Sequence, residues 1–470
     1  MIINEKMQRI VLIILLLCLS FKCTVLGDVN TKWNRFSPSS PAALLLTEKD
    51  FCSKLRSLPK RAHFASIEDY GAIGDGETLN TQAFHDAISH LSAFSNQGGS
   101  QLYIPPGRWL TGNFNVTSHF TLFIDKDAVI LGSQNPRDWP VVDPLPSYGR
   151  GRELPGGRHI SLIYGNNLSD VIITGNNGTI DGQGKVWWEL HANGSLDYTR
   201  GHLLELMNSK DIIISNLTFI NSPFWNIHPV YCRNVLIQYL TILAPIDSSN
   251  TDGIDPDSSS RVCIEDCYVE NGDDLVSIKS GWDEYGIRYG RPSSKIVIRR
   301  LAGATRSSAG VAIGSEMSGG VSHVYVYDLK VGHASTGVRI KSAQGRGGYV
   351  KHVYVSDVVL RNVKTAIAFT GLYGEHPDDL YDPNALPHVH TIYIQNVKGD
   401  NVTMAGNFQG LPGYPYRDIF LRNITLNVTS RKVVWNCSYL TGYSESVSPP
   451  PCAALVQKAT KKNSASTSIS

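Results

Sequence analysis

From residue 167 onward the chain repeats one short phrase, two apolar residues flanking a third position and a further apolar residue two or three places on, usually with Asn or Asp between them. It reads Asp211-Ile212-Ile213-Ile214-Ser215-Asn216-Leu217, then Asn234-Val235-Leu236-Ile237, then Arg261-Val262-Cys263-Ile264-Glu265-Asp266-Cys267. Related phrases start near Asp170, Lys295, His323, His352, Thr391 and Asp418. The interval is mostly 23 to 34 residues and stretches to about 40 where loops intrude. Short strands at a repeating interval, rich in Val and Ile, predict a solenoid whose coils stack their apolar faces on one another. A single-stranded right-handed parallel β-helix fits best, making the fold all-β. A propeller or sandwich is the alternative, but blades would need four strands in a longer repeat.

A second strand follows each later phrase: Leu275-Val276-Ser277-Ile278-Lys279, Gly310-Val311-Ala312-Ile313-Gly314, Gly337-Val338-Arg339-Ile340-Lys341 and Ala366-Ile367-Ala368-Phe369-Thr370. Alternation turns Val276, Ile278, Val311, Ile313, Val338 and Ile340 inward, and Ser277, Lys279, Arg339 and Lys341 outward on one face. Ala83, Phe84, Ala87, Ile88 and Leu91 fall at helical spacing within Thr81–Phe94, which predicts an N-terminal capping helix beginning near an Asn80 or Thr81 cap. It is the one substantial helix the pattern offers. The Gly71, Gly74 and Gly76 turn lacks a Walker lysine and the dinucleotide spacing, so it reads as a turn and not a phosphate loop.

The ends differ in character. Residues 1–27 carry Lys6 and Arg9 before an apolar core at Val11–Leu17, the make-up of a secretory signal peptide, with a core too short for a membrane span. Residues 28–61 read as an N-terminal extension, residues 62–445 as the β-helix, and residues 446–470, rich in Ser, Pro, Lys and Thr, as a disordered tail. Loss of Lys6, Arg9 and Lys22 against Glu5 takes the net charge from +2 to about zero. No global basic field is left to attract nucleic acid, and no later stretch argues for a membrane. Of the eight cysteines, Cys18 and Cys23 leave with the signal; Cys52, Cys232, Cys263, Cys267, Cys437 and Cys452 remain, with Cys437 to Cys452 a reasonable local pair. Nine Asn-x-Ser/Thr sequons, at Asn115, Asn167, Asn177, Asn193, Asn216, Asn401, Asn423, Asn427 and Asn436, independently favour a secreted glycoprotein.

Candidate chemistry concentrates between Asn250 and Lys341. Stacked coils lie roughly 4.8 Å apart, and aligning the second strands puts Asp252, Asp274, Ala309 and Thr336 in one column, with Asp273 beside Asp274. Three crowded carboxylates cannot all ionise cheaply, so one should hold a proton while another stays a base, the division of labour that splits a glycosidic bond. Arg339 and Lys341 beside them suit an acidic sugar. The same carboxylates could instead decorate turns, or bind calcium.

The motifs Asn250-Thr251-Asp252, Gly272-Asp273-Asp274 and Arg339-Ile340-Lys341, in this order, resemble glycoside hydrolase family 28, the polygalacturonases; the likeness spans roughly residues 64 to 440 and includes Asp69-Tyr70-Gly71-Ala72. The resemblance implies that Asp273 is the general acid, that Asp252 and Asp274 activate water, and that Arg339 and Lys341, with Asn250, bind galacturonate. It further implies hydrolysis of pectin by inversion, across carboxyl groups roughly 6.5–9.5 Å apart, without metal or organic cofactor; with the signal-like segment and the sequons, the expectation is a monomeric enzyme secreted to the extracellular space and cell wall. The chain departs from the family at Ser308-Ala309-Gly310, where Gly-His-Gly is usual. Either His333 or His376 takes over, or activity is weak or redirected. Gly314–Gly320 and Gly345–Gly348 resemble the exo-acting branch. A rhamnogalacturonan hydrolase, a pectin-binding protein without turnover, and on fold alone a calcium-dependent pectate lyase stand as alternatives.

Overall fold

The computed structural model describes residues 51–53, 55 and 59–456. The signal sequence and residues 28–50 of the extension lie outside the described residues. The repeated phrases are the rungs of a right-handed parallel β-helix. Ile212, Val235, Val262, Ile296, Val324, Val353, Ile392 and Ile419 follow one another in parallel register along one sheet, all of them buried. An Asn or Asp turns the corner in most phrases, with Tyr239 and Arg300 at the same position in two others. Asn216, Asp266, Asp328, Asp357, Asn396 and Asn423 each have φ between 49° and 58°, the left-handed region that short polar side chains tolerate.

A further face is built by the second strands. Ile254, Val276, Val311, Val338 and Ile367 are consecutive in register, and the six residues expected inside are all in the apolar core. The capping helix, α1 (Thr81–Ser92), buries Ala83, Phe84, Ala87, Ile88 and Leu91 against the first coils. Its Asn80 does not cap it with the side chain. The Asn80 amide instead accepts from Ile73 N at 2.8 Å and donates to the carbonyls of Ile73 and Thr78, pinning the Gly-rich turn.

Two shorter helices, α2 (Lys185–Ala192) and α3 (Asp283–Tyr289), correct the expectation of a single helix. Neither shows an apolar stripe: α2 buries only Trp187, and α3 only Asp283 and Gly286. The boundaries at both ends also move. Cys52 is disulfide-bonded to Cys263, which ties the end of the extension to a central coil. The strand Leu440–Ser448 and a turn at Ala453–Leu455 continue past residue 446, held by the Cys437–Cys452 disulfide and by burial of Leu455. Residues 457–470 of the tail lie outside the described residues. Cys232 and Cys267 are free and buried. Among the described residues no helix is long and apolar enough to cross a membrane.

Candidate active site

Two loops, Asn250–Asp252 and Asn271–Asp274, arrive from adjacent coils and are stitched together by their own polar side chains. Asn271 Nδ2 donates to the carbonyls of Thr251 and Asp274 at 2.7 and 3.0 Å, and Thr251 Oγ1 accepts from Gly272 N at 3.0 Å. From the preceding coil, Asn226 Nδ2 donates to the carbonyls of Thr251 and Asp252. Glycine is required at 272 because a Cβ there would meet the Ser248 carbonyl oxygen at 1.9 Å.

This stitching aligns Asp252, Asp274, Ala309 and Thr336 as the repeat predicts. One oxygen each from Asp252, Asp273 and Asp274 lies within 4.8 Å of the others. Asp252 and Asp274 are buried, whereas Asp273 is half-buried and faces the groove.

The surroundings divide the three carboxyls. Burial would push Asp274 up, but Lys341 outweighs it: Lys341 Nζ donates to Asp274 Oδ2 at 2.7 Å, while Ser308 Oγ and the Ala309 amide donate to Oδ1 at 2.5 and 2.9 Å. Asp274 is thereby held below the usual carboxylate range. Burial, then the negative charge of Asp273, raise Asp252 to about 8. Burial and Asp274 raise Asp273 as well. Beneath them Lys279, itself buried, reaches Asp252 and Asp255 at 3.6 Å and Glu316 at 3.3 Å, and lies 4.2 Å from the centre of the Trp225 ring.

Two cavities meet at the carboxylates, sharing Asn250, Asp273 and Tyr373 in their walls. One, about 260 Å³, runs over Trp225 and Lys279 to Arg152, Glu153, Glu316 and Glu375. Its far wall is continuous, because Arg152 donates to Glu316 and, at 2.8 Å, to Glu375, while Arg150 donates to the Pro377 carbonyl at 2.6 Å. The other, about 380 Å³, extends past Ser307 and Ser308 to Arg339.

The expected site residues are therefore neighbours, with different duties. Lys341 is engaged with Asp274 and sits less freely than a substrate-facing cation would. Arg339 stacks over Tyr373, 5.4 Å from its ring centre, and forms no salt bridge among the described residues. Asn250 is oriented by buried Arg200, whose Nη2 donates to Asn250 Oδ1 at 2.9 Å. Neither candidate histidine replaces the missing one. His333 is exposed and bonds Asn362, and His376 pairs with Asp283 and stacks on Tyr381. Ser308 Oγ and the Ala309 amide are the groups this stretch presents to Asp274.

Arg152, Trp225, Glu316 and Tyr373 were not anticipated. Of these only Glu316 had a signal, lying in the singled-out Gly314–Gly320 stretch. A second buried acidic and histidine cluster, His202, Glu205 and His228, is internally paired: Arg158 donates to Glu205 at 2.7 Å, and His228 lies between Glu205 and Asp257.

A β-helix carrying three convergent carboxylates and flanking cations in a cleft defines a polysaccharide-cleaving enzyme of the glycoside hydrolase class. The model of glycosyl hydrolases family 28 matches residues 154–448, and the chain belongs to that family. A further model, rhamnogalacturonase A/epimerase, pectate lyase-like, matches residues 64–198. The chain is 53% identical over 406 residues to a probable polygalacturonase of Vitis vinifera, covering 86% of this chain and 83% of that one. It is 29% identical to polygalacturonase-2 of Solanum lycopersicum over 77% of this chain and 74% of that one. Among solved structures, an exopolygalacturonase from Thermotoga maritima superposes with a TM-score of 0.72 at 27% identity, over 85% of this chain and 95% of that one.

Proposed function

We propose that this glycoside hydrolase is a polygalacturonase that removes galacturonate from one end of pectin chains outside the cell. The observation that carries the reading is Asp274, bonded by Lys341 at 2.7 Å and with an oxygen within 4.8 Å of an oxygen of each of Asp252 and Asp273, whose burial pushes both of those up. Asp273, half-buried and facing both cavities, donates its proton to the leaving glycosidic oxygen. Asp274 is the carboxylate ready to draw a proton from water. Asp252, raised to about 8, holds a proton in the resting site and positions the water by hydrogen bonding, while Asp274 takes the proton the water loses. Arg339, with its ring-stacked guanidinium, offers the fork for a uronate carboxylate.

Action from a chain end is supported by the walled cavity, which has room for about one sugar, and by the likeness to an exo-acting relative. Inversion comes from the family relationship; release of the β anomer first, followed by proton NMR, is the expected result, and the α anomer first would refute it. Secretion is supported by the signal-like first 27 residues, the sequons and the Cys52–Cys263 and Cys437–Cys452 disulfides.

Defined oligogalacturonides incubated with the enzyme should yield monogalacturonate as the early product, and a ladder of intermediate lengths would overturn the exo reading. Asp273→Asn should abolish release with the circular dichroism spectrum unchanged; undiminished turnover would remove the assignment. A rhamnogalacturonan backbone is the second reading, favoured by the family match over residues 64–198, and product release from the two polymers compared side by side decides it. Unsaturated, ultraviolet-absorbing ends would indicate a lyase, and tight oligogalacturonide binding without products a protein that has lost turnover at Ala309.

A further inference from the structure

The corner at which each coil enters its long strand forms a stripe along the solenoid. Eight successive rungs carry it in parallel register: Lys210, Arg233, Ser260, Ser294, Ser322, Lys351, His390 and Arg417. The residue after each of these has φ between 53° and 61°, so every rung turns through the left-handed region at the same place. That region favours Asn and Asp, which stand there at Asp211, Asn234 and Asp418. On the middle rungs it holds Arg261, Lys295, His323 and His352 instead. Arg261 and Lys295 are poor residues for such a backbone, so the turn itself does not account for them.

The two carboxylates of the stripe, Asp211 and Asp418, are on its first and last rungs. The six rungs between carry Arg233, Arg261, Lys295, Lys351 and three histidines without a carboxylate, on a chain whose net charge is only +2. Arg233 and Lys295 are exposed, Arg261 and Lys351 half-buried, and none of the four forms a salt bridge among the described residues. Arg261 lies 5.2 Å from the centre of the Phe51 ring and Lys351 4.4 Å from that of Tyr349, contacts that leave both charges uncompensated. Beside the later rungs Tyr354, Tyr393 and Phe420 are half-exposed and stack in register, 5.2 and 4.5 Å between ring centres. No residue of the stripe lines either cavity at the carboxylates, and a further corner at Asp266 separates Arg261 from Asp273 along the chain.

We propose that this stripe is a second polysaccharide-binding surface, which holds a polyuronate chain along the solenoid apart from the groove that cleaves it. Seven strand spacings make the stripe roughly 34 Å long. A polyuronate carries one carboxylate per sugar, so a chain laid along it meets cations repeatedly, and its C–H groups meet the edges of the aromatic row. The rings are stacked face to face with only their edges outward, which suits a sugar polymer better than insertion into a lipid surface. The choice of a uronate polymer rests on the proposed hydrolase; an anion-binding stripe does not.

Binding is measured by affinity electrophoresis on the full chain carrying Asp273→Asn, with excess trigalacturonate present to fill the groove. Polygalacturonate in the gel should retard the protein, fully methyl-esterified pectin should not, and about 0.5 M salt should abolish the retardation. Arg233→Gln, Lys295→Asn and Lys351→Gln together should weaken it several-fold with the circular dichroism spectrum unchanged. Lys126→Gln, Lys330→Gln and Lys398→Gln, at exposed positions off the stripe, should leave it intact. Equal weakening by the two triple variants, or none by the first, would overturn the proposal. So would double-stranded DNA or phosphatidylserine vesicles displacing the protein from polygalacturonate at lower anion concentration than polygalacturonate itself. In the active enzyme the first triple variant should raise KM several-fold on polygalacturonate and leave trigalacturonate kinetics unchanged; an equal change on both would place these charges at the groove and refute the assignment. A chain that cleaves neither substrate but is still retarded would remove the hydrolase reading and leave the stripe.

Discussion

Replacing Lys341 with Met keeps most of the side-chain volume and removes only the ammonium. In the folded protein that ammonium sits 2.7 Å from Asp274 Oδ2, and both groups are buried. At that distance the attraction is about 6 kcal/mol for an effective dielectric of about 20. Part of it offsets the cost of burying two charges, so breaking the pair should lose about 3–5 kcal/mol. The pH dependence has a definite sign. Asp274 is held below 3.8, so its stabilisation is present above that value and is lost as pH falls through the lowered range. Lys341 is held above 10.5, so its contribution persists until alkaline pH. Urea midpoints of wild type and Lys341→Met should therefore differ most between about pH 4 and 10 and converge in acid. In steady-state kinetics the variant should lose kcat, and the acid limb of its pH profile should move upward, because Asp274 then takes a proton sooner. A variant that raised only KM, with kcat and its pH profile intact, would show that Lys341 serves the substrate carboxylate and not the base, and would refute this account.

Three further outcomes follow from the same structure. Ala309→His forces an imidazole into a fully buried position whose backbone amide already serves Asp274, so it should cost about 1–3 kcal/mol in chemical denaturation and bring no gain in turnover. Cys52→Ala opens a crosslink spanning 211 residues; by loop-closure entropy this should cost up to about 5 kcal/mol, read as a lower urea midpoint than wild type without reductant. Chelator should leave hydrolysis unchanged, because Lys341 and Lys279 already supply the positive charge a divalent ion would bring to the three carboxylates; loss of activity restored by calcium would contradict this.

The burial of Val276, Ile278, Val311, Ile313, Val338 and Ile340 was legible because a strand's side chains alternate with period two, and the column Asp252–Asp274–Ala309–Thr336 because a solenoid repeats its register. The same regularity made the Asn and Asp corners readable as part of the phrase. Helices α2 and α3 were not legible, since each buries too few residues to leave a stripe. The disulfide partner of Cys52 was not legible either, because nothing local distinguishes Cys263 from Cys267 until the coils are stacked and only one points toward Cys52.

The one-dimensional pattern by itself determined the β-helix, the face that carries the chemistry, and the meeting of Asp252, Asp273, Asp274, Arg339 and Lys341, because each of these follows from spacing along a repeated ladder. Only the tertiary structure decided that Lys341 bonds Asp274, that Ser308 and the Ala309 amide donate to the other oxygen of Asp274, and that Arg152 and Glu375 wall one of the two cavities. Those contacts are made by long side chains and by loops outside the repeat, and where such groups end depends on what else fills the space around them.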